Sequence, residues 1–159
     1  MYKAEIFRKY VTDYKERIFN ELNGEITHII VEEPLGGSNN ANTVSLLYGF
    51  NGICRYILFK TFNVYPKKIS VYDSRKLFCP EFVHTKKEKG VIVEVLSFPP
   101  EFRDEKKLYI WKKVAKLEPQ IEWFYKKDGS PKDINYDLSD SYCVGYAGLK
   151  LLGIIKWEN

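Results

Sequence analysis

The chain predicts an α/β fold with a parallel βαβ core and flanking helices, and three stretches predict it. Ile26-Thr27-His28-Ile29-Ile30-Val31-Glu32-Glu33 is mostly β-branched and is closed by Pro34, which marks a strand. Thr43 to Phe62 then keeps an apolar helical pattern over a helix-long run. Pro66-Lys67-Lys68-Ile69-Ser70-Val71-Tyr72 reads as a second, shorter strand. Strand, helix and strand in this order imply a right-handed crossover between parallel strands.

The remaining elements follow along the chain. Tyr2, Ile6, Tyr10, Tyr14 and Ile18 recur at spacing four, with charges on the other side, so residues 2–22 form an amphipathic helix that Asn23-Gly24 ends. The Ile26–Glu33 strand is apolar on both faces, as an interior strand covered on both sides would be, and His28 reads there as a core histidine. Glu32 and Glu33 fall at its carboxyl end, the edge where open α/β sheets bind ligands, or simply at a solvated strand end. Gly36, Gly37, Ser38, Asn39 and Asn40 form a small polar loop before the long helix, open to a phosphate or merely connecting; the G-K-[ST] ending of a P-loop is absent. The helix itself points Val44, Leu47, Tyr48, Ile53, Ile57, Leu58 and Phe62 mostly inward, with Gly49 and Gly52 permitting close contact.

After the second strand, Asp73-Ser74 caps a brief helical turn that places Arg75 and Lys76 at the same carboxyl edge, as phosphate ligands or as an ordinary surface pair. Gly90 to Phe98 is β-branched but ends in Pro99-Pro100, which reads as an edge strand or an inserted ribbon. Residues 103–118 resume a helical period with Leu108, Trp111, Val114 and Ala115 inward, and Pro119 ends it. The turn-rich Lys126–Lys132 segment leads into a last helix N-capped by Asn135, apolar and small after its first turns as if laid closely on a sheet.

Composition bounds the function. The 159 residues suit one domain, 1–159, able to bury a core. With 45% hydrophobic and 29% charged residues the chain is neither disordered nor a coiled coil. It has no membrane-length apolar run, and its first residues are charged throughout, unlike a signal peptide. A net charge of +4 permits nucleic-acid binding, although lysine doublets interleaved with acids also describe a solvated surface. Three scattered cysteines without C-x-x-C point to a soluble, intracellular protein in a reducing compartment such as the cytoplasm.

Three carboxylates carry the chemistry. Asp137 and Asp140 stand three apart, so both leave one helix face, about 5–6 Å apart at Cβ. Acids in a first helical turn are also favoured by the helix dipole alone. Pooled with a strand-end glutamate, they suit Mg²⁺ or Mn²⁺, because like charges resist joint ionisation without a cation and hard cations take oxygen ligands. Two such ions can activate water for phosphodiester hydrolysis. No G-x-S-x-G and no dinucleotide fingerprint compete with this reading.

Ile29-Ile30-Val31-Glu32-Glu33-Pro34, then a long helix, a strand, and Asp137-x-x-Asp140-Ser141 opening a C-terminal helix resemble the RuvC-like Holliday junction resolvases and related RuvC-type nucleases of the RNase H superfamily. The similarity covers essentially the whole chain. It implies an RNase H-like fold and a metal-dependent endonuclease that hydrolyses phosphodiesters in branched DNA such as Holliday junctions. Glu32, Asp137 and Asp140 would be the catalytic metal ligands. Glu32 is preferred over Glu33 because the family's acid directly follows the apolar strand core. Gly36, Gly37, Ser38, Asn39, Asn40, Arg75 and Lys76 would position the DNA. Resolvases of this kind act as symmetric dimers, and the Lys-, Ile- and Tyr-rich composition suits a phage or virus.

The family opens with a three-stranded antiparallel meander that carries another catalytic aspartate, whereas this chain opens on the helix that should follow it. The resemblance therefore implies an N-terminally incomplete frame: a subunit or fragment, weak or inactive alone, whose missing strands a separate polypeptide supplies, or a member that works without the full metal set. The alternative is a non-catalytic nucleic-acid-binding or assembly protein that retains the frame. A third reading is an RNase H-like domain with another phosphoester substrate.

Overall fold

Three residues of one strand, Ile30–Glu32 (β1), pair in parallel with three of another, Lys67–Ile69 (β2), Ile30 opposite Lys67 and Glu32 opposite Ile69. The helix Ala41–Phe62 (α2) joins them, so the expected βαβ unit is present. The computed structural model describes residues 2–22, 24–34, 40–102 and 105–155. The chain is mixed α/β and mostly helical, with one parallel and one antiparallel two-stranded sheet. It forms two compact units, Met1–Ser70 and Val71–Asn159, and among the described residues no helix is long and apolar enough to cross a membrane.

In the first unit, β1 is shorter than the Ile26–Glu33 run because a strand extends only as far as its partner. Pro66, which lacks an N–H, precedes β2, and a helix starts two residues after it. β1 is half-buried rather than interior, and His28 is exposed, its Nδ1 2.9 Å from Thr27 Oγ1, instead of sitting in a core.

The first helix, Tyr2–Leu22 (α1), packs on α2, and Lys15 Nζ donates to Thr61 O at 2.7 Å. Asn40 caps α2, its side chain accepting from the Asn42 and Thr43 N–H groups, so the helix starts at Ala41, two residues before the apolar pattern does. The inward set is also different. Ile57 is the residue of α2 that is buried, while Leu47, Tyr48 and Ile53 are exposed. A Cβ at Gly49 or Gly52 would meet nothing within 4 Å, so close packing does not explain these glycines.

In the second unit, Val71–Phe78 forms a two-turn helix (α3) rather than a brief turn. Val83–Glu88 (β3) and Val91–Leu96 (β4) form an antiparallel ribbon. Of the two readings of Gly90–Phe98, an edge strand or an inserted ribbon, the chain forms a ribbon, with β3 as its more polar partner. Lys89 and Gly90 join the strands at φ 48° and 86°, the doubly left-handed turn whose twist matches a hairpin. Lys106–Leu117 (α4) buries Ile110, Trp111 and Val114; Leu108 and Ala115, expected inward, are half-buried.

Asp133–Leu151 (α5) is the last helix. Both α3 and α4 pack on it, so its buried small residues Cys143, Ala147 and Gly148 serve close helix packing rather than a sheet. Phe78, Cys79, Phe98, Ile110, Val114 and Cys143 form the core, rimmed by Phe82, Tyr109, Tyr142 and Tyr146. Phe78 lies edge-on to both Tyr142 and Tyr146, at 5.8 and 5.3 Å between ring centres, a favoured aromatic geometry.

Candidate functional site

The start of α5 sets where its acids stand. Asn135 is not the N-cap; Lys132 holds that position, and Asn135 is fully buried inside the first turns. The Phe124 N–H donates to Asn135 Oδ1 at 3.0 Å, and Asn135 Nδ2 donates to Phe124 O at 2.6 Å. This reciprocal clamp ties the helix to the preceding segment and satisfies a side chain that would be costly to bury unpaired. Ser139, also buried, donates to Asn135 O at 2.7 Å. The polar first turns of α5 thus serve packing as well as capping.

One turn further on, Asp137 is exposed and Asp140 half-buried. Arg75 Nη2, from α3, donates to both oxygens of Asp140, at 2.9 and 3.2 Å. The two side chains are only 17% and 19% exposed, so the pair sits where charges interact more strongly than in water. Lys107 adds a second cation 3.9 Å from Asp140 Oδ2. Lys76 turns to Glu94 of β4 at 2.8 Å, and this hydrogen bond holds its ammonium pKa above the usual lysine value. The two cations of α3 expected on phosphates are therefore both engaged by acids of their own unit.

Glu32 belongs to the first unit and ends β1, at the carboxyl end of a parallel pair as expected; Asn51 Nδ2 of α2 donates to its carbonyl at 3.0 Å. Its neighbour Glu33 accepts from Lys68 at 2.6 Å. Gly36, Gly37, Ser38 and Asn39 lie outside the described residues, and Asn40 is the helix cap already described. Among the described residues, no three His, Cys, Asp or Glu side chains form a group that could hold a metal ion.

The geometry around Asp140 tests a divalent cation directly. An ion there would have to displace Arg75 from both carboxylate oxygens and leave a largely buried guanidinium beside it, whose Nε already lacks a hydrogen-bond partner among the described residues. As arranged, Asp140 belongs to an internal ion pair that joins α3 to α5.

Sequence reasoning placed Arg75 and Asp140 correctly on their helices and missed that they meet. It also missed a network beside them: Lys113 of α4 donates to Phe78 O at 2.8 Å and to Glu81 at 2.7 Å, and Tyr109 donates to Glu81 at 2.9 Å. Burial alone would raise the Glu81 pKa, but these hydrogen bonds and the Lys113 charge outweigh it and hold the carboxyl below its ordinary value. Nothing in residue spacing announces such contacts. Nearby, burial pushes the Cys79 thiol up to about 12 and raises Cys143 as well, so both are inert core residues.

No family model matches the chain, and neither curated proteins nor solved structures show a match.

Proposed function

We propose that the chain is a non-catalytic nucleic-acid-binding protein that recognises branched DNA on an RNase H-like frame. The Arg75–Asp140 pair carries this reading, because the acid expected to hold a metal is occupied by a cation of the protein itself. The resemblance to RuvC-type nucleases supplies the class of ligand, and the net charge of +4 supplies attraction to phosphate.

The order of elements supports a second reading. Glu32 at the end of a parallel strand, before a long helix, and Asp137 with Asp140 on the last long helix suit the ligand set of a Mg²⁺- or Mn²⁺-dependent endonuclease subunit. That reading requires Arg75 to leave Asp140. It also calls for a second copy of the chain, which the resemblance implies.

Fluorescence anisotropy with a labelled four-way junction distinguishes the two. The binding reading predicts that affinity persists in EDTA, is not raised by Mg²⁺, which competes with lysine for phosphate, and does not fall in Asp137→Ala. Junction affinity that appears only with the cation and is lost in Asp137→Ala favours the metal-dependent reading instead.

A further inference from the structure

The β3–β4 ribbon carries a surface that the fold does not use. At its root, the facing pair Val83 and Leu96 is half-buried, and Leu96 packs against the core. Successive side chains alternate between the two faces of a ribbon, so Ile92 shares the Leu96 face, four pairs further out. There the core has been left behind. Ile92 is 73% exposed and Val91 63% exposed, although both are branched apolar residues that folding normally covers.

Around them the ribbon is basic. Lys86, Lys87 and Lys89 stand against one acid, Glu88, in the tip. Lys86 is paired with Glu88 at 2.9 Å, while among the described residues Lys87 and Lys89 form no ion pair. Lys87 is directly opposite Ile92, so a cation and an apolar side chain leave the same face together. The Lys89-Gly90 turn keeps the tip narrow.

We propose that this tip is a DNA wedge: Ile92 enters the minor groove of a duplex arm and partly unstacks one base step, while Lys87 and Lys89 hold the flanking phosphates. Proteins with β-ribbons and sheets do work from the minor groove, and inserted apolar side chains, with basic residues beside them, are the chemistry by which minor-groove proteins open and kink DNA. The charge of the tip complements phosphate. The inference rests on the DNA-binding reading above and adds the surface and the mode of contact.

The test uses the full chain and four-way junctions that each carry one 2-aminopurine along an arm. Wild type raises the fluorescence at one step severalfold as that base unstacks. Ile92→Ser abolishes the rise while junction binding persists, and Lys87→Ala with Lys89→Ala weakens affinity about tenfold and lowers the salt slope by about 2. All three positions are exposed, so circular dichroism and the melting temperature stay at wild-type values. Junction binding with no 2-aminopurine response, or a response that survives Ile92→Ser, overturns the wedge and leaves DNA binding standing. Failure of wild type to bind any junction overturns both. Self-association of wild type that Ile92→Ser abolishes, with DNA binding unchanged, assigns the tip to a second copy and also overturns the wedge.

Discussion

Arg75 Nη2 lies 2.9 Å from one oxygen of Asp140 and 3.2 Å from the other, linking α3 to α5 through a pair that is mostly shielded from water. Removing only the cation leaves a carboxylate whose next cation, Lys107, is 3.9 Å away. Arg75→Ala therefore costs about 2–3 kcal/mol in urea unfolding, and the Arg75→Ala/Asp140→Ala double variant loses less than the sum of the single variants. Additive losses would show that the pair contributes no coupling.

The Asn135 clamp makes a sharper demand, because it needs both a donor and an acceptor. Asn135→Ala leaves the Phe124 N–H and C=O without their partner and is expected to cost about 2–4 kcal/mol. Asn135→Asp retains the acceptor but loses the donor, so it recovers only part of that loss and buries a charge. Denaturant midpoints of the two variants measure this; an Ala variant as stable as wild type would remove the clamp from the account.

Glu81 gives the protein a pH response. Its folded pKa lies below its ordinary value near 4.5, so the unfolded chain binds the proton more readily. The stability this contributes is complete above about pH 5 and is lost as pH falls through the folded value. Between about pH 6 and about pH 3 the melting temperature of wild type should fall more steeply than that of Glu81→Gln. Parallel curves would assign the network no role in acid stability.

The first unit predicts association. Leu46, Leu47, Tyr48, Phe50 and Ile53 of α2 are all at least 40% exposed, and residues 34–54 carry no charge. So much exposed apolar surface on one half-helix favours contact with other surfaces. Light scattering should show a mass that rises with concentration, and Leu46→Glu with Phe50→Glu should return the chain toward a monomer. A constant monomer mass for wild type would mean that this surface is tolerated in water.

Much of the frame was legible where local chemistry decides it. The spacing-four stripe of α1 and the β-branched runs of β1 and β4 each specify their own element. What was not legible depends on partners remote in sequence. Ile26–His28 looks like strand, yet β2 starts at Lys67, whose N–H already donates to Ile29 O, and does not reach it. Leu47, Tyr48 and Ile53 look like core, yet all three are exposed, and α1 is what packs on α2. Asn135 has the chemistry of a cap and is instead held by Phe124. At the candidate site, Asp137 and Asp140 were found by their spacing, while Arg75, 65 positions from Asp140, could be joined to it only by the packing of α3 on α5.

A cleavage assay with the purified 159-residue chain, a four-way junction and Mg²⁺ or Mn²⁺ tests the central claim most directly. The account predicts junction binding without strand scission at any metal concentration that leaves the protein folded, because Arg75 occupies Asp140. Robust metal-dependent cleavage, abolished by Glu32→Gln or Asp140→Asn, would contradict it.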